Sequence, residues 1–80
     1  MKVKITVSLR TGVLDPAAET IHRSMGQLGF EAVTSVVQRR VFEVDIAKSD
    51  RDAVLAEAHA MADKLLANPV IETFTVDLVE

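Results

Sequence analysis

The most constraining feature of the sequence is a strict alternation of polar and apolar residues over positions 2–10. A period of two is typical of a β-strand, because successive side chains point to opposite faces of a sheet. The intervening positions are charged or hydroxylated, so the other face of this strand is expected to be wet. The apolar positions are predicted to face a hydrophobic core: Val3, Ile5, Val7 and Leu9.

A helix with well-defined ends is predicted after this strand. Asp15 is placed to cap the helix by accepting backbone N–H groups of the first turn, and Pro16 suits the first helical position. Gly29 can adopt the left-handed conformation that ends a helix, and Phe30 is then expected to fold back on Met25. Helical spacing predicts one buried stripe: Ala18, Ile21, Met25 and Leu28.

Three more strands and a second helix are predicted from the remaining pattern. The β-branched stretch 33–37 indicates a second strand, a turn at 38–40 leads to a third over 41–46, and alternation predicts a fourth over 73–79. Ser49 with Asp52 three residues later is typical of a capping box, and the residue before Pro69 is expected to end the helix. The apolar stripe of this helix is predicted to comprise Val54, Leu55, Ala58, Met61, Ala62, Leu65 and Leu66.

The order strand–helix–strand–strand–helix–strand is typical of a βαββαβ, ferredoxin-like α+β fold. We expect a single domain over residues 1–80, with both helices on one face of a four-stranded antiparallel sheet. The rest of its core is predicted to comprise Phe42, Val44, Ile46, Phe74 and Val76. If the first and third strands are neighbours, Lys2 and Lys4 can lie opposite Glu43 and Asp45 on the polar face.

Self-association is predicted from the small core and from one edge of the sheet. The adjacent residues Val36 and Val37 would otherwise meet water on an edge strand, and such edges are normally paired, covered or blunted by charge. We therefore expect a homodimer or a higher even-numbered oligomer.

Composition narrows the classes of function. The net charge is −3 and no basic cluster is longer than Arg39 and Arg40, which disfavours nucleic-acid binding. The chain has no cysteine, which excludes disulfides and thiolate metal sites. The start lacks the apolar run of a signal peptide, so a cytoplasmic location is predicted. His22 and His59 are interpreted as surface residues, and we expect no catalytic residue and no metal ligand in this chain.

The turns that connect strands and helices offer the best candidates for partner contacts. Such residues are polar, and adjacent helix caps hold them on a rigid scaffold, where binding residues are often found. Seven residues form this candidate partner-binding set: Arg10, Thr11, Gly12, Asp15, Arg39, Arg40 and Asn68.

Two stretches read together resemble the PurS family, the small subunit of phosphoribosylformylglycinamidine (FGAM) synthase. They are GVLDP at 12–16 ahead of LGF at 28–30, and KLLANPVIE at 64–72. The resemblance covers essentially the whole chain. This sequence departs from the family pattern at Arg39 and Arg40, where a glycine and a lysine are usual. It also departs at Val37, where an arginine is usual. Ala17 and Ala18 replace residues that tend to be polar.

The resemblance implies an adaptor role and membership of an ATP-dependent carbon–nitrogen ligase complex. FGAM synthase uses ATP, Mg²⁺ and glutamine to convert formylglycinamide ribonucleotide to formylglycinamidine ribonucleotide in purine biosynthesis. The small subunit would bind no cofactor itself, would bridge the glutaminase and large synthetase subunits, and would support ammonia transfer between them.

Two alternatives to the adaptor stay open. The first is a stand-alone ferredoxin-like regulatory module that binds a small metabolite at a dimer interface. The second is a small enzyme with an acid–base group among Glu43, Asp45 and Asp77.

Overall fold

The computed structural model describes residues 1–79, which form one three-stranded sheet and two α-helices. In chain order the elements are β1 (Lys2–Leu9), α1 (Pro16–Gln27), β2 (Arg40–Asp45), α2 (Arg51–Met61), a π-helical turn (Ala62–Leu66) that continues α2, and β3 (Glu72–Leu78). The sheet is antiparallel with the order β2–β1–β3, so β1 is central. Neither helix in this part of the chain has the length and apolar character needed to cross a membrane.

The predicted four-stranded sheet is wrong, because the stretch 33–37 forms no strand. Residues 28–39 contain neither helix nor strand. A tight hairpin turn needs positive φ angles, and within residues 1–79 only Gly12 and Gly29 have them. The turn at 38–40 therefore does not fold 33–37 back on β2, and the outer edge of β2 is left without that strand.

The pairing of the other strands follows the sequence pattern. Lys2 lies opposite Asp45 and Lys4 opposite Glu43, as expected for adjacent first and third predicted strands. Lys4 also lies opposite Asp77 of β3. The polar face of the sheet therefore alternates in charge from strand to strand, which suits contact with water.

The hydrophobic core lies between this sheet and α2, which packs against β1 and β3. Its buried members are Val3, Ile5, Val7, Ile46, Val54, Ala58, Ala62 and Ala67. Partly buried residues pack around them, among them Phe42, Val44, Phe74 and Val76. Leu9 and Leu55, predicted in the core, are half-buried at its margin.

The prediction that Leu65 belongs to the core is wrong, since its side chain is 81% exposed. The predicted stripe assumed 3.6 residues per turn, but the last turn is π-helical and the N–H of Ala67 donates to the oxygen of Ala62 (2.9 Å). This wider turn leaves Leu65 outside, with Leu66 half-buried and Ala67 buried.

The caps of α1 are as the sequence predicts. The Asp15 carboxylate accepts two backbone N–H groups of the first turn at 3.1 and 3.2 Å, and Pro16 is the first helical residue. At the other end Gly29 has φ of +99°, and the backbone N–H of Phe30 donates to the oxygen of Met25 (2.9 Å). The expected packing of the Phe30 side chain on Met25 stays a prediction. In α2 the predicted cap is wrong by one residue: Asp50, not Ser49, accepts a backbone N–H, from Asp52 (3.1 Å).

The placement of both helices on the sheet is also wrong, because α1 buries only Ala18. Ile21 and Leu28, predicted in its buried stripe, are 41% and 76% exposed. His22, predicted at the surface, is half-buried and its Nε2 donates to the oxygen of Val33 (2.8 Å). We call residues 16–39 the arm.

The arm makes the molecule elongated. Its extents are 49 × 26 × 14 Å and its radius of gyration is 16.1 Å. A compact chain of this length would have a radius of gyration of about 12 Å. The apolar residues of the arm therefore lack the cover that pairing of the predicted second strand (33–37) and a docked α1 would provide.

Candidate functional site

The two turn regions that the sequence singles out lie side by side in the structure. Arg10 follows β1, and its Nη2 donates to the oxygen of Pro69 (2.8 Å). The backbone N–H of Arg10 donates to the oxygen of Ile71 (2.8 Å), which extends the pairing of β1 with β3 by one bond. The loop after β1 and the turn before β3 are therefore fixed to each other.

A half-buried carboxylate, Glu72, holds the end of β2 against the turn. Nη2 of Arg40 donates to both Glu72 oxygens (2.9 and 2.7 Å), and the backbone N–H of Asn68 donates to Oε1 (2.8 Å). The Asn68 hydrogen bond and then the Arg40 guanidinium hold the pKa of Glu72 below its usual range, against the opposing effect of burial. Glu72 is therefore the centre of an ionic cluster that joins three parts of the chain.

Asn68 also organises the turn itself. Its Oδ1 accepts the N–H of Val70 (3.1 Å), which makes an Asx turn. Its backbone oxygen accepts the N–H groups of Ile71 (3.2 Å) and Glu72 (2.7 Å). Asn68, two residues past the end of the helix, therefore shapes the start of β3.

An open groove of about 640 Å³ lies between the loop after β1, the start of α1 and residues 34–39. Five members of the predicted set line it: Arg10, Thr11, Gly12, Asp15 and Arg39. The other two, Arg40 and Asn68, meet at Glu72. A smaller cavity of about 190 Å³, lined in part by Asp15, Arg39, Arg40 and Glu72, lies between the two regions.

Three residues of this region are absent from the predicted set. Glu72 is missed because its partners are remote in sequence, 32 residues away in the case of Arg40. Leu65 is missed because helical spacing attributed it to the core, and Val70 is missed because its position alone predicted no role. All three lie in the stretch 64–72, which is one of the two stretches that resemble the family, and this position could have drawn attention to them.

The geometry offers contact surfaces, namely the groove and the fixed turn beside it. Within residues 1–79 no three His, Cys, Asp or Glu side chains are grouped as metal ligands. The carboxylates at the site are engaged, Asp15 in a helix cap and Glu72 with Arg40. A small sheet with a rigid polar turn and an extended arm defines a binding or assembly module.

Comparison with known sequences identifies the family of this module. The chain belongs to the PurS family, described as phosphoribosylformylglycinamidine (FGAM) synthase, which matches residues 2–80. A relative from Archaeoglobus fulgidus, the PurS subunit of phosphoribosylformylglycinamidine synthase, is 36% identical over 76 residues, which is 95% of each chain.

Solved structures of the same family share the fold. The structure of Bacillus subtilis PurS superposes with a TM-score of 0.87 at 37% identity and covers 99% of this chain and 98% of that one. A chain of the PurLQS structure from Thermotoga maritima gives a TM-score of 0.86 at 25% identity over 95% of this chain and 93% of that one. The three-stranded arrangement with an extended arm is thus matched by relatives along nearly their whole length.

Proposed function

We propose that this chain is the small, non-catalytic subunit of an FGAM synthase in purine biosynthesis. It bridges a glutaminase subunit and a large synthetase subunit and supports the transfer of ammonia between them. The complex uses ATP, Mg²⁺ and glutamine, and this chain binds none of them itself. The cytoplasmic location expected from the sequence stays a prediction.

The observation that carries this proposal is the similarity to PurS along the whole chain, including a chain of the PurLQS structure. The geometry is consistent with it. The charged groups at the site bond to backbone and to one another, which makes a rigid surface and leaves no positioned nucleophile and base. Such a surface suits protein contact better than turnover.

Reconstitution with the two larger subunits tests the proposal. We expect glutamine-dependent synthesis of formylglycinamidine ribonucleotide to require this chain. Synthesis supplied with ammonium salt should depend on it much less, because added ammonia bypasses the transfer between subunits. Equal glutamine-dependent rates with and without the chain would contradict the adaptor role and favour the metabolite-binding alternative, for which the groove beside Arg10 is the place to look.

The structure also guides the choice of variants for this assay. Arg40→Glu would place two carboxylates together at Glu72, so it would disturb the fold as well as the surface. Arg39→Glu is cleaner, because this exposed residue precedes β2. Partner contact through Arg39, as through the other six members of the predicted set, is a proposal.

A further inference from the structure

We infer that His22 is a positioning residue for self-association. Its bond to Val33 fixes the stretch 33–37 to α1, so that this stretch is held ready to pair with the outer edge of β2 in a second copy of the chain. This role is separate from the adaptor function, because it concerns how two copies meet. We call the bond between His22 and Val33 the arm clasp.

The arm clasp joins the two halves of the arm. The Nε2–H of His22 donates to the backbone oxygen of Val33 over 2.8 Å, and both residues are half-buried. Within residues 1–79 it is the only side-chain hydrogen bond between α1 and residues 28–39, which contain neither helix nor strand. The clasp therefore fixes where the stretch 33–37 lies relative to α1.

The backbone beyond the clasp has no partner within the chain. In the part of the chain that the structure describes, residues 34–38 make no hydrogen bond through their backbone N–H or carbonyl groups. The outer edge of β2 is open in the same way, because β1 pairs with its other side. An open row of backbone donors and acceptors is a template for pairing with another chain. Two such rows adjoin here in the sequence.

A second copy of the chain supplies the partner for both rows. Within one chain the stretch cannot fold back on β2, because no residue of the turn at 38–40 has the positive φ that a tight hairpin needs. Between two copies no turn is needed. Antiparallel pairing about a two-fold axis joins the stretch of each copy to the β2 edge of the other.

This pairing also covers apolar side chains that the single chain exposes. Val37 is 64% exposed and Val41 is 53% exposed. In the antiparallel pair Val37 can lie beside the partner's Val41, and Val41 beside the partner's Val37. β-Branched residues that face each other across two strands stabilise the pairing. The same contact therefore satisfies backbone groups and buries valines in both copies.

The clasp matters because pairing costs conformational freedom. A stretch tethered only at Phe30, beside the end of α1, and at Arg40, the start of β2, would become ordered when the second copy binds. That cost opposes association, and a stretch already held at Val33 bears less of it. A symmetric dimer contains two clasps, so the loss of His22 counts twice.

Three variants of the full chain test the clasp. His22→Leu removes the donor and keeps a side chain of moderate size, whereas His22→Gln keeps an N–H donor near the position of Nε2. His59→Leu is the control, because it makes the same change at an exposed histidine of α2, whose ring contacts Phe74. Sedimentation velocity over a dilution series gives the dissociation constant of each protein, and amide hydrogen exchange reports on residues 34–38 and on β1.

We expect His22→Leu to raise the dissociation constant by about tenfold, because two hydrogen bonds are lost per dimer. Exchange should become faster at residues 34–38 and stay unchanged in β1, since the core contains no residue of the arm. His22→Gln should stay within about threefold of the wild type and His59→Leu within about twofold. Rescue by glutamine identifies the donated hydrogen bond, and not the size of the side chain, as the group that matters.

Four results would each exclude this role. They are a wild-type chain that stays monomeric throughout the dilution series, a His22→Leu variant that associates like His59→Leu, a His22→Gln variant as weak as His22→Leu, and a loss of protection in β1 of His22→Leu. None of them decides whether the synthase requires the chain, which reconstitution with the larger subunits measures separately.

Discussion

At the scale of single residues, the half-buried carboxylate of Glu72 joins parts of the site that are far apart in the sequence. Glu72 joins the start of β2 to the turn after the second helix through Arg40 and Asn68, and it begins β3 itself. A charge-assisted hydrogen bond of this kind stabilises the ionised carboxylate in the folded chain. The pKa of Glu72 is lowered accordingly.

This shift predicts how stability depends on pH. Because the pKa of Glu72 is lower in the folded than in the unfolded chain, its stabilisation is complete above the unfolded pKa and is lost as the pH falls through the folded pKa. Glu72→Gln should therefore be less stable than the wild type near neutral pH, and the difference should vanish in acid. Urea unfolding of both proteins over a pH series measures it, with the exposed Glu43→Gln as a control for the loss of one charge. A difference between wild type and Glu72→Gln that does not change with pH would contradict this role.

The sequence predicted Arg40 and Asn68 as site residues but not the carboxylate between them. Local patterns reveal caps and turns because the bonds involved span only a few residues, as between Asp15 and the first turn of α1. The bond between Arg40 and Glu72 depends on which strand ends lie together, which is set only when the sheet has formed.

At the scale of elements, predictions succeeded where one local rule decides the structure. β1 follows from strict alternation, and α1 follows from its caps. The stretch 33–37 has suitable side chains for a strand, but β-propensity mainly reflects packing against neighbouring strands. Without a turn to bring it to β2, that neighbour is missing, and a favourable composition does not produce a strand.

At the end of α2 the local pattern also failed, because it predicted a buried Leu65, and the exposure of this residue can be tested. Leu65→Ala should change the free energy of unfolding by less than about 0.5 kcal/mol, because this side chain is already in water. Ile5→Ala should cost about 2–5 kcal/mol, because Ile5 is fully buried in the central strand. Thermal or chemical unfolding of the two variants compares an apolar residue outside the core with one inside it. A large loss of stability in Leu65→Ala would contradict the exposure produced by the π-helical turn.

At the scale of the whole molecule, the elongated shape indicates that another chain covers the exposed apolar residues of the arm. The core is confined to the sheet and α2, while the arm exposes Leu28, Phe30 and Val37. Small domains with one modest core commonly gain stability by association. This elongation was not predictable from the sequence, because the apolar stripe of α1 looks the same whether it packs on its own sheet or on another chain.

The exposed apolar residues of the arm predict self-association, and a substitution in the arm tests this prediction. We expect the wild type to be a dimer or a higher even-numbered oligomer, in which the stretch 33–37 of one chain covers the open β2 edge of another. Val37→Asp places a charge in that contact at a residue that is 64% exposed in the single chain, so it should weaken association without unfolding the core. Light scattering at micromolar concentration measures the mass. Val79→Asp is the control, because it makes the same change at an exposed valine (51% exposed) just past the end of β3. A wild-type chain of monomer mass, or a Val37→Asp variant that associates as tightly as the control, would show that the arm does not join two copies.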